Sequence, residues 1–209
     1  MKIMSMLTRF FVITGCVIFL LMSRLFTDPE IRWKEEVKLH DGRVIVVDRW
    51  EKRQWMGELG HRGLPLWSAI KAKNPNTGAE INWYEDAGSD AYVFDFIGDT
   101  AYLAVRISFY QPCKKYDFPK RDFVFFKFDG IWKKISFEEF PATFDTNLLF
   151  NVWAAASANQ MDDNLITIEK KGDYIRSGWS LNQYSMRNVL ETPKFARAAC
   201  DEFAESTKQ

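Results

Sequence analysis

A mainly β domain is the fold class this sequence predicts, and three observations predict it. Tight-turn dipeptides flanked by alternating or β-branched runs recur along the chain, long apolar or helical periodicity is confined to its two ends, and the composition is that of a globular body. The 209 residues are 47% hydrophobic and 16% aromatic, with 28 Lys and Arg against 28 Asp and Glu, which excludes long disorder, collagen and a coiled-coil rod. The balance is uneven along the chain. The first 26 residues hold Lys2, Arg9 and Arg24 and no acid, so residues 27–209 carry 25 bases against 28 acids. A mildly acidic body without a basic patch argues against nucleic acid, because phosphate binding needs clustered Lys and Arg to displace counterions.

Residues 10–23 (FFVITGCVIFLLMS) form an uncharged apolar run between Arg9 and Arg24. A membrane-spanning helix wants about 20 residues, which the chain reaches by recruiting residues 6–26 if the flanking arginines snorkel. The expectation is therefore an anchor over residues 1–26 and one extracytoplasmic domain over 27–209. Lys2, Arg9 and the amino terminus favour an N-in orientation, hence a single-pass inner-membrane protein with its body in the periplasm. A cleaved signal peptide is disfavoured because Ser23-Arg24-Leu25-Phe26 has no small-x-small site. A lipoprotein modified at Cys16, in Ile13-Thr14-Gly15-Cys16, would begin on an apolar stretch instead of a polar tether.

In the body, residues 33–49 (WKEEVKLHDGRVIVVDR) read as a hairpin turning at Asp41-Gly42. A second hairpin joins residues 92–97 to 100–107 through Gly98-Asp99, and a third joins 123–128 to 131–135 through Asp129-Gly130. A weaker fourth places strands at 165–169 and 174–179 around Lys171-Gly172-Asp173. This pattern predicts an antiparallel sheet, sandwich or partial barrel built from hairpins. Residues 54–76 and 112–119, interrupted by Gly and Pro, read as loops, and 147–159 as a short helix or a buried strand. Thr192 as N-cap, Pro193 at the first position, and Phe195, Ala199 and Phe203 at spacing four predict a C-terminal amphipathic helix to about residue 205.

A two-residue loop at Asp41-Gly42 would set Leu39 opposite Val44, Val37 opposite Val46, Glu35 opposite Asp48 and Trp33 opposite Trp50, all on one face. The other face would carry Lys34, Glu36, Lys38 and Arg49 as solvated surface. Two opposed carboxylates with Cβ atoms about 5 Å apart need a proton, a metal or a base between them, which is how a general acid is made. Glu35 and Asp48, with His61 from the following loop, are thus the catalytic candidates. The bland alternative is an ion-paired rung at a sheet edge, and a longer loop at 40–43 would break the pairing altogether. His40 and His61 read as surface loop residues, and neither has a second His or Cys at ligand spacing, so no metal or other cofactor is expected. No G-x-S-x-G, S-x-x-K, P-loop or C-x-x-C motif is present. Cys113 and Cys200 can form one disulfide or remain two buried thiols. Trp33, Trp50, Trp55 and Trp67 crowd the N-terminal half and offer stacking surface for sugars or a protein partner; filling the core is the competing use.

The run Trp33-Lys-Glu-Glu-Val-Lys-Leu-His-Asp-Gly-Arg43, followed by Phe126-Lys-Phe-Asp-Gly-Ile-Trp-Lys-Lys-Ile135 and Phe140-Pro141, resembles a group of proteobacterial proteins that carry an N-terminal membrane or lipoprotein segment. The resemblance spans two of the hairpins and implies a bacterial, extracytoplasmic setting. It implies no activity, ligand or catalytic residue.

The functional expectation is a membrane-anchored periplasmic protein that binds another protein or an envelope component. One specific version is an immunity-like protein that blocks an incoming toxin. A periplasmic hydrolase using Glu35 and Asp48 is the enzymatic alternative, and a glycan-binding module built on the tryptophans is the third.

Overall fold

The computed structural model describes residues 30–55, 62–107, 109–119, 121–149 and 164–176, with Cys200, Asp201 and Phe203. In chain order the elements are β1 (Glu30–Lys38), β2 (Val44–Trp55), β3 (Arg62–Lys73), β4 (Glu80–Glu85), β5 (Asp90–Ile97), β6 (Thr100–Arg106), α1 (Tyr110–Lys115), β7 (Phe123–Phe128), β8 (Trp132–Ile135), β9 (Leu165–Ile166) and α2 (Ile168–Arg176). The strands form two sheets, one ordered β4-β3-β2-β1-β9 and one ordered β5-β6-β7-β8. All pairings are antiparallel except β1 with β9.

The two sheets close over one core. Val37, Val47, Ile70, Ile81 and Trp83 of the first sheet meet Phe94, Phe96, Leu103, Val105 and Phe126 of the second. β4 shows why: it alternates exposed and buried along its whole length, as a strand with one wet and one dry face must. β5 is buried on both faces although it is an edge strand. A second cluster of Tyr92, Val93, Phe123, Phe125, Phe140 and Phe144 covers the far side of its sheet. Asn147 covers its free edge. The Asn147 amide accepts from Phe94 N (3.0 Å) and donates to Phe94 O (2.9 Å) and to Lys38 O (3.1 Å), so one side chain substitutes for a neighbouring strand and links the two sheets. Cys113 in α1 and Cys200 are disulfide-bonded, with Cα atoms 5.4 Å apart.

The second hairpin has the two-residue connection its Gly-Asp dipeptide predicts, with Ile97 paired to Thr100. The first does not. Leu39 N–H donates to Arg43 O (2.8 Å), Gly42 N–H donates to Leu39 O (3.0 Å), and Gly42 has φ +89°, so the loop is the three residues His40, Asp41 and Gly42. A two-residue type I′ turn would need positive φ at Asp41 as well, which it does not adopt; the chain takes a type I turn closed by a left-handed glycine instead. The third hairpin likewise pairs Phe128 with Trp132 across three residues.

Other expectations are corrected. Residues 62–73, read as loop, form β3, with Pro65 at an irregularity in the β2–β3 register where its missing N–H is tolerated. The fourth hairpin is a two-residue strand followed by α2, whose start is capped by Thr167 Oγ1 accepting from Lys170 N (3.3 Å). Within the segment 112–119, α1 replaces part of the expected loop. Residues 147–149 have no regular structure, and the rest of 147–159 lies almost wholly outside the described residues, as does the anchor segment 1–26. Among the described residues no helix is long and apolar enough to cross a membrane. Of the expected C-terminal helix, Cys200, Asp201 and Phe203 are described, and they are helical.

Candidate functional site

The one-residue change of register separates the expected carboxylate pair. Glu35 pairs with Val47, and Asp48 pairs with Lys34, so the two carboxylates lie on opposite faces of the sheet. Trp33, Glu35, Val37 and Leu39 point inward as expected, but Val44, Val46, Asp48 and Trp50 point outward, and Arg49, expected on the surface, is brought inside opposite Trp33. Asp48 lies 3.9 Å from Lys34 Nζ across the outer face.

Glu35 is fully buried and fully occupied. Its Oε1 accepts from Lys171 Nζ (2.9 Å) and Leu149 N (3.0 Å), and its Oε2 accepts from Trp33 Nε1 (2.8 Å) and Arg49 Nη1 (3.1 Å). Arg49 also donates to Leu149 O (2.9 Å) and lies 4.7 Å over the Trp33 ring; Lys171 also donates to Asn147 O (2.8 Å). Burial would raise the Glu35 pKa, but the charges of Lys171 and Arg49 and the hydrogen bond from Trp33 outweigh it and hold the carboxyl below its ordinary range. Burial pulls Lys171 below its ordinary value against the attraction of Glu35. A carboxylate accepting four hydrogen bonds has no lone pair left for a substrate's proton, so this cluster is an internal strut.

The ionic interior continues along β2. Arg53 bonds Glu51 and Asp90, the latter at 3.2 Å, and Arg106 lies 3.8 Å from Asp122. Burial and the neighbouring Glu51 push Asp90 up to about 6, against the pull of Arg53, Arg49 and Arg106. Beside α1, Lys115 Nζ donates to Glu85 (2.7 Å) and Asp86 (2.5 Å), and the Tyr116 hydroxyl donates to Glu85. Burial and the Glu85 carboxylate raise the Tyr116 pKa.

His40 is more than a surface loop residue. Its backbone N–H donates to Asp95 Oδ2 (2.8 Å) and its Nδ1 lies 2.9 Å from Asp95 Oδ1, which makes Nδ1 the protonated nitrogen. The ring rests 5.0 Å from that of Phe144. Such an oriented imidazole could serve as half of a catalytic constellation, but among the described residues no hydroxyl or thiol partners it. The other histidine candidate, His61, lies outside the described residues. No group of three or more His, Cys, Asp or Glu side chains that could hold a metal occurs among the described residues.

The tryptophans divide between the faces. Trp33 is buried against Arg49. Trp55 ends β2, and its side chain lies outside what is described. Trp50 and Trp67 stand half-buried on the outer face of the five-stranded sheet. One rung runs Arg32, Trp50, Ala69, Tyr84 across four strands, and Trp67 sits beside it at 6.0 Å from the Tyr84 ring. Tyr84 is 62% exposed. Because adjacent strands are about 4.8 Å apart, Trp50 and Tyr84 flank Ala69 at roughly 10 Å, forming an aromatic platform with a shallow floor. The next rung, Lys34, Asp48, Lys71, Asn82, gives it a polar border.

Sequence reasoning missed Tyr84, whose place beside Trp50 and Trp67 follows only from the unrecognised β3. It also missed Lys171 as the partner of Glu35, a contact spanning 136 residues. Comparison of the chain with family models, with curated proteins and with solved structures finds no significant match.

Proposed function

We propose that this chain is an envelope-anchored binding protein whose contact surface is the outer face of the five-stranded sheet. The observation that carries the reading is the platform of Trp50, Trp67 and Tyr84. Tyr84 is left 62% exposed beside two half-buried tryptophans, and aromatic side chains at a solvated face are the residues that dominate recognition surfaces. The interior charges support the same reading, since Glu35 and its partners are consumed by one another. The membrane placement is supported by the apolar run between Arg9 and Arg24, and an extracytoplasmic body by the Cys113–Cys200 bond, which persists in oxidising compartments.

The test is affinity capture from envelope extract by the full chain and by its Trp50→Ala/Trp67→Ala/Tyr84→Ala variant. A partner retained stoichiometrically by the first and lost by the folded second supports the reading; a partner retained equally by both contradicts it. A glycan ligand is the second reading, favoured by the Ala69 floor between two rings, which suits a sugar face stacked between aromatics. Peptidoglycan fragments should then quench or shift Trp fluorescence in the native chain and not in the triple variant.

A further inference from the structure

The rungs on the outer face of the five-stranded sheet have a symmetry that a row of aromatics does not require. A twofold axis parallel to the strands, midway between β2 and β3, would set a second copy face to face with the first, its β3 over β2 and its β4 over β1. Every rung then meets itself reversed. In the central rung Trp50 stands over the partner's Ala69, the shallow floor, and Arg32 over the partner's Tyr84. The Arg32 side chain is 71% exposed and Tyr84 62%, so both have surface left to bury in this cation–ring contact.

The flanking rungs match as well. Asp48 meets the partner's Lys71, and Lys52, which pairs with Trp67 in its own copy, meets the partner's Trp67. Lys71 already holds Glu80 (2.6 Å), and the three donors of an ammonium accommodate a second carboxylate. The like charges that meet are Glu36 and Glu80, at the corner of the face, where Glu36 accepts from Ile168 N (3.0 Å) and Glu80 is held by Lys71. Because a twofold repeats every contact, each favourable pair occurs twice.

The same axis suits the way the chain enters the fold. Rotation about a line parallel to the strands leaves both copies of β1 starting at the same end of the dimer, so the residues preceding Glu30 depart on the same side. Two copies anchored in one membrane by residues 1–26 need that arrangement, whereas a twofold across the strands would send the anchors in opposite directions. Four strands about 4.8 Å apart, crossed by four rungs about 6.8 Å apart, give the face a footprint of roughly 500 Å² in projection. A standard interface removes about 800 Å² of accessible surface from each partner, so side-chain relief brings this face near the lower bound for a reversible dimer.

We propose that a second copy of this chain occupies the outer face, docked about this axis, an assignment that rests on the reading of that face as a contact surface and names its partner. The test is sedimentation equilibrium of the full 209-residue chain in density-matched detergent micelles. The chain should dimerise reversibly with a Kd in the micromolar range. Asp48→Lys alone and Lys71→Asp alone should each weaken the dimer at least about tenfold, because each sets like charges against one another on both sides of the axis. An equimolar mixture of the two variants should restore the wild-type affinity to within about threefold, since the exchanged charges are again opposite across the axis. Ala69→Trp, which fills the floor on the outer face, should abolish the dimer whatever the charge variants do to folding.

A monomer at about 100 μM, a dimer insensitive to Ala69→Trp, or weakened single variants that no mixture rescues would each overturn the proposal. The second of these would place the dimer contact elsewhere, the anchor segment included. If the chain is monomeric yet capture of an envelope protein still depends on Trp50, Trp67 and Tyr84, the contact surface stands and its occupant is not a second copy. If neither dimerisation nor capture depends on them, the contact surface fails as well.

Discussion

Each face of the five-stranded sheet carries a minority of the residue type expected on the other. Its inner face holds Glu35, Arg49, Glu51 and Ser68 at 4% exposure or less, and its outer face holds Trp50, Trp67 and Tyr84 in contact with water. The difference teaches where to look for function. Each buried charge is committed to another buried charge or to the backbone of a distant segment, as with Glu35 and Leu149, so the inner face fixes which parts of the chain meet. Among the described residues the outer aromatics share the Trp67–Tyr84 ring contact, and most of Tyr84 is left uncovered. Inner-face variants should therefore change stability without altering what the folded protein binds, and outer-face variants should do the reverse.

The largest expected effect is on the inner face. Lys171→Met leaves Glu35 with one cation instead of two, and breaking a buried pair in this way costs about 3–5 kcal/mol, to be read from urea unfolding. The folded fraction should still capture partner. Loss of the disulfide in Cys113→Ser/Cys200→Ser, inside the core between the sheets, should cost about 4.6 kcal/mol in the chain-entropy account, because the bond closes a separation of 87 residues. It too should spare binding.

Asp90 sharpens the comparison through pH. Its pKa in the folded chain is raised to about 6, so between the ordinary aspartate value near 4 and about 6 the native state holds a proton that the unfolded chain has released. That contribution to stability is present below about pH 4 and is lost as pH rises through about 6. Asp90→Asn should remove a slope worth about 2–3 kcal/mol from the difference between wild-type and variant unfolding curves taken from pH 4 to 7. A parallel pair of curves would show that Asp90 titrates normally.

Much of the fold was readable from residues 90–107 and 123–135, because turn dipeptides and strand runs there are local signals. The candidate site was readable only in part. Trp50 and Trp67 stood out as aromatics, but their common face depended on β3, hidden by its Gly and Pro content, and on a hairpin loop one residue longer than its Asp-Gly dipeptide suggests. Because side chains alternate with period two, that single residue sent Asp48 outward and Arg49 inward, dissolving the expected acid pair. Lys171 was unreadable for a different reason. Its Gly172-Asp173 sequence mimics a turn, while its role is set by a contact with Glu35 that no local pattern encodes.

The outer-face variant tests the account most directly. For Trp50→Ala/Trp67→Ala/Tyr84→Ala, unfolding free energy and capture of the envelope partner should be measured on the same preparation. The account predicts partner capture abolished in the folded variant, at a cost of about 1 kcal/mol at exposed Tyr84 and about 1–3 kcal/mol at each half-buried tryptophan. A large loss of stability with capture retained by the folded fraction would make the outer aromatics structural and would contradict it.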